Sequence, residues 1–358
     1  MTGFPGFLGS ALLPRLLARR PRVKALCVVP ARHLPAAKER RRDIEAEQPH
    51  TRGRIELVEG DITQPRLGLD PATARRLRNV TEVWHLAAVY DLAVPPEVAW
   101  RVNVDGTTHV LELCHDLPRL SRLQYVSTCY VSGRYDGEFA EDALDEGQEH
   151  RNHYEATKHE AELRVRKAVA DGLPATIYRP GIVVGDSRTG KTQKYDGPYF
   201  LATFLRRQVG PLAVVPALGD LDRVKVSLVP RDFVVAAMDE LSVLDASRGR
   251  TYALTDPAPP TVRELVDAFA RRLGKRVVWV PLPLTLTRTV VELPGVERLM
   301  GLPAEVLEYF ASPTTYSTTH TVTDLAGSGL TCPPFESYAA RLLDYMLAHP
   351  EIDAKAMA

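Results

Sequence analysis

Two rhythms of hydrophobic and polar positions take turns along the first half of this chain. Leu8, Leu12, Leu13, Leu16 and Leu17 recur at three- and four-residue spacing, which predicts a helix over Gly9 to Arg19 with one apolar side. Val23 to Val29 is a short, continuous, β-rich apolar run, the pattern of a buried strand. The alternation then repeats. Residues 35 to 47 read as a charged helix, Ile55 to Val58 as a strand ending at Gly60-Asp61, and Val80 to Leu86 as a further strand. Trp100 to His115 reads as a helix, Leu123 to Ser127 as a strand, and His153 to Ala170 as a long helix. Ala175 to Tyr178 is a strand closed by Arg179-Pro180-Gly181. Strands that alternate with helices predict an α/β fold, a doubly wound parallel sheet covered on both faces.

Beyond about residue 185 the rhythm changes. Gly185 to Pro198 is polar and glycine-containing, the pattern of a loop over a site. Residues 199 to 230 and 276 to 335 read as a smaller, mixed substrate-binding lobe. Thr261 to Leu273 is an amphipathic helix, and 336 to 348 a closing one. Val226 to Val229 and Thr251 to Leu254 have strand character. The expected division is a core over 1–185 and a lobe over 186–358, with strands 226–229 and 251–254 returning to the core.

Composition narrows the function classes. The 358 residues carry 45 Lys+Arg against 45 Asp+Glu, which removes the electrostatic case for nucleic acid. Cys27, Cys114, Cys129 and Cys332 are scattered, with no C-x-x-C pair for zinc or redox work. Such cysteines suit a reducing cytoplasm. No apolar run approaches the ~18 residues of a transmembrane helix. The apolar start is a glycine turn and its helix, not a signal peptide.

That turn is Thr2-Gly3-Phe4-Pro5-Gly6-Phe7-Leu8-Gly9. Glycines at 3, 6 and 9 allow a tight turn, a close backbone approach and a helix N-terminus aimed at a pyrophosphate. Such loops follow a buried central strand. Only Met1 precedes Thr2 here, so the first strand is expected to be truncated. Asp61, followed by Ile62 at a strand end, can accept from an adenine amino group, or simply cap a turn. Leu86, Ala87 and Ala88 end the next strand with side chains small enough for a cofactor to lie along them, or form a plain turn. No Asp or Glu occurs between Lys24 and Lys38 to hold the ribose 2′-hydroxyl of NAD. Arg32 and His33 stand there instead. They favour the 2′-phosphate of NADP, unless they are only solvated loop residues.

The catalytic candidates lie further on. Tyr154 and Lys158, four apart, share a helix face, where the ammonium can hold down the phenol's pKa. A phenol so tuned passes a proton to a carbonyl oxygen near neutral pH. Ser127-Thr128 ends the preceding strand; Thr128 is the better candidate to hold a substrate oxygen, counting back from Val131-Ser132-Gly133. Lys158 should also bind the nicotinamide ribose. Asn103 orders the sheet or a relay water, with the structural role favoured. The histidines lack metal-ligand spacing, so no metal is expected.

This ordered set resembles the extended branch of the short-chain dehydrogenase/reductases, with a Rossmann-like core. Within it the chain looks like fatty acyl-CoA reductases and the thioester reductases of carboxylic acid reductases. The matching stretches are TGFPGFLGS at 2–10, HLAAVYD at 85–91, NVDGT at 103–107, YVSTCYVSG at 125–133, YEATKHEAE at 154–162, IYRPGIVVGDSRTG at 177–190 and LVPRDFV at 228–234, with a late segment running from GLPAEVLEYF to LLDYM. The resemblance implies Thr128, Tyr154 and Lys158 as the catalytic set. It implies Gly3, Gly6 and Gly9, with Phe4, Pro5, Phe7 and Leu8, as the cofactor loop. Asp61 becomes the adenine contact, and Pro180, Gly181, Ile182 and Val183 join the cofactor-binding set. The family's arginine falls where this chain has Pro30, two places before Arg32. The implied activity is NADPH-dependent reduction of a CoA- or carrier-bound acyl thioester to aldehyde or alcohol. A dehydrogenase, epimerase or dehydratase on a nucleotide-sugar or sterol-like alcohol would share these residues. A non-catalytic nucleotide sensor often loses the Tyr or Lys, and this chain keeps both. Dimers through a helix pair are common in the superfamily.

Overall fold

The computed structural model describes residues 1–91, 94–217, 220–281, 309 and 312–352. In chain order its elements are α1 (Phe7–Arg19), β1 (Ala25–Val29), α2 (Leu34–Glu47), β2 (Ile55–Glu59), α3 (Pro71–Leu77) and β3 (Glu82–His85). There follow α4 (Pro96–Trp100), α5 (Gly106–Asp116), β4 (Arg122–Val126), β5 (Glu138–Phe139), α6 (His153–Ala170), β6 (Ala175–Pro180) and β7 (Ile182–Val184). Then come α7 (Pro198–Arg207), β8 (Leu212–Ala217), β9 (Leu228–Pro230), α8 (Arg231–Ser242), β10 (Thr251–Leu254), α9 (Val262–Arg272) and β11 (Arg276–Pro281). The last are β12 (Thr315–Tyr316), α10 (Thr319–Leu325) and α11 (Ala339–Ala348).

The core is a Rossmann-like parallel sheet. Four strands run in the order β10-β6-β4-β3, and β1 pairs with β2. Met1 and Thr2 join the two groups, standing in the central position in place of a full strand. The Met1 ammonium donates to the Leu26 carbonyl at 2.8 Å and the Val28 amide donates to the Met1 carbonyl at 2.9 Å. On the other side the Thr2 amide donates to the Trp84 carbonyl at 2.9 Å, and Thr2 bridges His85 in parallel. Two residues thus pair both neighbours immediately before the glycine turn.

Alternation along β4 sends its side chains to two cores. Leu123 and Tyr125 face one, with Val110, Cys114, Ala161 and Val165 of α5 and α6. Val126 faces the other, with Leu12 and Leu16 of α1 and Phe233 and Met238 of α8. A third core holds the lobe together, where α7, β8, α9, β11 and α11 meet around Leu205, Val215, Phe269 and Leu342. Helix α9 is set by a capping box, Thr261 with Glu264.

Two elements differ from the sequence pattern. The helix expected over Trp100 to His115 is broken by one π-helical turn, Arg101–Asp105, between α4 and α5. The strand expected at 226–229 forms as β9 and pairs with β7 rather than with the main sheet, whereas β10 does join β6. Of the apolar stretches Val277 to Thr285 and Leu299 to Phe310 within the lobe, residues 282–285 and all of the second except Tyr309 lie outside the described residues. Among the described residues no helix is long and apolar enough to cross a membrane, and no group of His, Cys, Asp and Glu could hold a metal ion.

Candidate active site

The site gathers at the C-terminal ends of the parallel strands, where an open α/β sheet presents its crevice. The glycine turn comes first. Gly3 has φ +84°, and a Cβ there would stand 2.7 Å from the Leu86 carbonyl carbon and 2.8 Å from the Ala87 nitrogen. A Cβ on Gly6 or Gly9 would meet the Gly3 carbonyl oxygen at 2.8 or 2.6 Å. The three glycines therefore fold onto each other and onto the end of β3, bringing together the two segments picked out for the cofactor. The turn is closed by the Gly6 amide donating to the Gly3 carbonyl and the Ser10 hydroxyl donating to the Pro5 carbonyl. Phe4 is buried in the core beneath, and the Phe7 ring lies 5.0 Å from the Arg231 guanidinium. Leu8 and Leu86 pack against one core and Ala87 against the other.

Asp61 accepts from the Thr63 amide at 2.9 Å; burial and then Arg32 lower the proton affinity of neighbouring His33, and Asp61 only partly opposes them. Ile62 is core, packed on Gly106, whose Cβ would stand 2.8 Å from it. Arg32 is exposed and its Nε donates to His33 at 3.0 Å. Two cations that sequence reasoning passed over lie on α2. The Nε atoms of Arg40 and Arg41 are buried without a hydrogen-bond partner. Arg40 is also close enough to Arg231 to lower its proton affinity, after burial and against Asp186. The only sign of them in the sequence was the run Arg40-Arg41-Arg42 on a charged helix, which reads as a solvated face. The glycine cradle and these unpartnered guanidinium atoms fit a dinucleotide with its phosphates at the loop. Gly181 has a different task, because a Cβ there would meet the Ser227 carbonyl at 2.3 Å. Beside it Pro180 ends β6, Ile182 packs against the lobe core and Val183 against the sheet core.

The catalytic candidates stand on α6 and at the end of β4. Asn152 caps α6, its side chain accepting from the Glu155 amide at 3.0 Å. Thr128 and Ser127 face different ways. Thr128 shares a hydrogen bond with Tyr154, and its oxygen accepts from the Tyr130 amide at 3.2 Å. Ser127 lies against Glu162, which is buried in an ion pair with Arg179 at 2.7 Å. Asn103, in the π-helical turn, spends its whole amide on scaffolding. It bonds both the amide and the carbonyl of Val89 and donates to the Thr157 hydroxyl at 3.0 Å. It thereby ties the segment after β3 to the catalytic helix.

One expectation is corrected. Lys158 does not hold down the Tyr154 phenol. Burial pushes Tyr154 up to about 12, and the hydrogen bond from Thr128 only partly opposes it. The Lys158 amine points instead at β4, donating to the Val126 carbonyl at 2.8 Å and the Tyr125 hydroxyl at 3.2 Å. Burial brings Lys158 down to about 8, with Glu162 opposing. Helical spacing puts the two residues on one face, but it does not say which neighbour the longer side chain reaches.

Tyr90 and Tyr309 lie near Tyr154. The charge of Tyr90 acts on Tyr154, and the Lys194 amine from the 185–197 loop sits 3.9 Å from the Tyr90 ring centre. Tyr309 stands edge-on to Tyr130 at 4.8 Å and accepts from Asn152 at 2.9 Å. A cleft of about 1060 Å³ between Leu69, Leu111 and Leu173 lies at the other end of α5 and α6 and contains none of these residues.

A glycine cradle at the head of a parallel sheet, with a Tyr and a Lys on the facing helix, defines an NAD(P)-dependent oxidoreductase of the extended short-chain dehydrogenase/reductase type. Residues 1–238 match the NAD-binding family described as male sterility protein, and the chain belongs to that family. It is 29% identical to the isonitrile lipopeptide synthase of Streptomyces coeruleorubidus over 99% of its own length, spanning 25% of that protein. It is 27% identical to the fatty acyl-CoA reductase wat of Drosophila melanogaster over 66% of its length, spanning 52% of that protein. Among solved structures, the terminal R domain from the myxalamid PKS-NRPS biosynthetic pathway superposes with a TM-score of 0.81 at 28% identity, covering 99% of this chain and 91% of that one. A thiolation-reductase di-domain from an archaeal non-ribosomal peptide synthetase shares the fold, with a TM-score of 0.76 at 21% identity over 98% of this chain and 75% of that one.

Proposed function

We propose that this protein reduces an acyl thioester, carried on CoA or on a carrier protein, to an aldehyde or alcohol with NADPH. The observation that carries the reading is that Thr128 lies against Tyr154, with Lys158 four residues further along the same helix, while the glycine cradle closes on the end of β3. The relatives supply the substrate class. A fatty acyl-CoA reductase is among them, and peptide-synthetase chains contain the matching segment.

The bound cofactor would supply the hydride. The chain's own residues do the rest. The Thr128 hydroxyl and the Tyr154 phenol hold the thioester carbonyl oxygen and stabilise the charge that develops on it. Tyr154 then hands its proton to that oxygen, giving a hemithioacetal; as its C–S bond breaks, the hydroxyl proton passes to the departing sulfur, so the thiol of CoA or of the carrier leaves and the aldehyde remains. A phenol kept protonated by burial suits this task, because it arrives with its proton in place at neutral pH. Lys158 would hold the ribose end of the cofactor, and Gly3, Gly6 and Gly9 would hold the pyrophosphate. Arg32 would supply positive charge for a 2′-phosphate, with the unpartnered Arg40 and Arg41 on α2 as further cations, and no carboxylate stands between Lys24 and Lys38 to favour NAD.

The test is NADPH oxidation by the purified protein against a panel of acyl-CoAs, carrier-bound acyl groups, nucleotide-sugars and steroid alcohols. The thioesters are expected to be consumed. Turnover of a nucleotide-sugar alone would overturn the substrate class and leave the oxidoreductase assignment standing.

A further inference from the structure

A line of buried polar groups runs beneath the catalytic helix, and the reaction as described makes no use of it. It starts at the Lys158 amine, which donates to the Tyr125 hydroxyl at 3.2 Å and stands 4.7 Å from the centre of that ring. Tyr125 lies against Thr107 of α5, whose hydroxyl acts on its proton affinity, and its ring stands 5.8 Å from that of His85. The Thr107 hydroxyl donates to the Asn103 carbonyl at 2.6 Å, and its oxygen lies 3.1 Å from His85 Nε2. His85 Nδ1 lies 2.7 Å from the Thr2 hydroxyl. Tyr125, Thr107, His85 and Lys158 are all buried.

The donors can be assigned. Thr107 spends its proton on the Asn103 carbonyl, so its oxygen accepts from His85 and has nothing left to donate to Tyr125. His85 then carries its proton on Nε2, and Nδ1 accepts from Thr2. Burial, with the Lys158 charge adding to it, keeps His85 neutral by bringing it down to about 3. Against a Thr107 hydroxyl that offers it no proton, the Tyr125 oxygen accepts the Lys158 N–H. The direction of the chain turns the phenol into a fixed acceptor for the lysine.

We infer that Tyr125, locked by Thr107 and His85, is the positioning residue of the active-site lysine, setting where its amine sits and which protonation state it holds. The kinetic readout rests on the reductase reading above; the position of the amine does not. The groups facing Lys158 are Tyr125 on β4, His85 on β3, and Tyr154 and Glu162 on its own helix, with the amino terminus behind His85. Of these, Tyr125 and Glu162 favour the ammonium, and Tyr125 touches it, beside the Val126 carbonyl at 2.8 Å.

The experiment compares Tyr125→Phe, Thr107→Val and Thr107→Ser with the wild type. Tyr125→Phe keeps the ring and removes the acceptor. The expected result is a drop in kcat of about tenfold or more, the effect of one hydrogen bond to a charged group, with the alkaline limb of the pH profile moved to lower pH. Thr107→Val should move the limb the same way, and Thr107→Ser, which keeps the hydroxyl, should restore it. A limb that stays in place in Tyr125→Phe, or a Thr107→Ser variant as impaired as Thr107→Val, overturns the inference and leaves a purely structural role. A second measurement is independent of substrate. Lysine labelled with ¹³C at Cε, assigned with Lys158→Arg, reports the titration of Lys158 directly. A lower midpoint in Tyr125→Phe supports the inference and an unchanged one refutes it, even if no thioester is reduced.

Discussion

Replacing Lys158 with Met should abolish turnover and make the protein more stable at neutral pH. Lys158 is 3% exposed, and burial brings its pKa from the ordinary 10.5 to about 8. Each tenfold loss of proton affinity is 1.36 kcal/mol, so carrying the charge in the fold costs about 3 kcal/mol at pH 7. Met has nearly the same length and carries no charge. It removes that cost but strands the Val126 carbonyl and the Tyr125 hydroxyl, each a loss of roughly 1 kcal/mol. The net gain at pH 7 is about 1 kcal/mol. The sign of the pH dependence follows from the direction of the shift. Between about 8 and 10.5 the unfolded chain binds the lysine proton and the folded chain does not, so wild-type stability rises with pH across that window. Lys158→Met has nothing to titrate there. Its advantage should be constant below pH 8, shrink as pH rises, and reverse before pH 10.5, where only the lost hydrogen bonds remain. Denaturant unfolding of both proteins from pH 6 to 10 measures the difference. An advantage that does not change with pH, or a variant less stable at pH 6 than at pH 10 relative to wild type, would refute the reasoning.

Tyr154→Phe removes the proton donor and keeps the ring; turnover should fall by ~10²-fold or more with NADPH affinity little changed, as read by steady-state kinetics and cofactor fluorescence titration. Arg32→Ala should weaken NADPH by ~1–3 kcal/mol and leave NADH nearly untouched, and equal losses for both would show that Arg32 does not read the 2′-phosphate. Gly3→Ala forces a Cβ to within 2.7 Å of the Leu86 backbone at a positive φ, so Tm and cofactor affinity should both drop, whereas Gly53→Ala, at positive φ with open space around it, should lower Tm only slightly. Glu162→Gln leaves the buried Arg179 without its carboxylate and should cost about 3–5 kcal/mol in denaturant unfolding; a loss below 1 kcal/mol would mean that the carbonyls of Glu141 and Ala143 suffice for the guanidinium.

The strands and helices of the core could be read from the sequence because each strand is buried on both faces and each helix on one, so their periods differ. The long helix is found over the residues its pattern predicted, His153–Ala170, with Asn152 as its cap. The glycine turn was readable for a related reason. Only glycine tolerates the contacts that positions 3, 6 and 9 make, so the residue type records the geometry. The lobe was harder. β8 and β11 form a two-stranded sheet with one face exposed, and their register, Val214 opposite Val278 and Val215 opposite Trp279, links segments about sixty residues apart. No local period encodes such a pairing. The break at Arg101–Asp105 was hidden too, since one π-helical turn inside a helix leaves the apolar pattern almost unchanged.

The site divides along the same line. Residue types with one common use, such as the glycines and the Tyr-x-x-x-Lys pair, announce themselves. Residues whose role depends on what their last atom touches do not. Tyr125 in a strand reads as an apolar residue facing a helix, and its ring does face one. Only the three-dimensional arrangement shows that its hydroxyl emerges beside Lys158. His85 likewise reads as the end of a strand. The correction at Lys158 has the same origin. The spacing of 154 and 158 fixes the directions of two Cβ atoms, but the lysine has four further bonds, and the nearest good acceptors lie on β4. Tyr154 and Lys158 then resist the charged state for one reason, burial, and that drives them apart. The phenol stays protonated at about 12 while the amine titrates near 8. Two groups moved in opposite directions by one environment give a site in which the donor keeps its proton at neutral pH and the neighbouring charge responds to small changes in its contacts. That sensitivity explains why a hydroxyl as buried as that of Tyr125 should be visible in a pH profile at all.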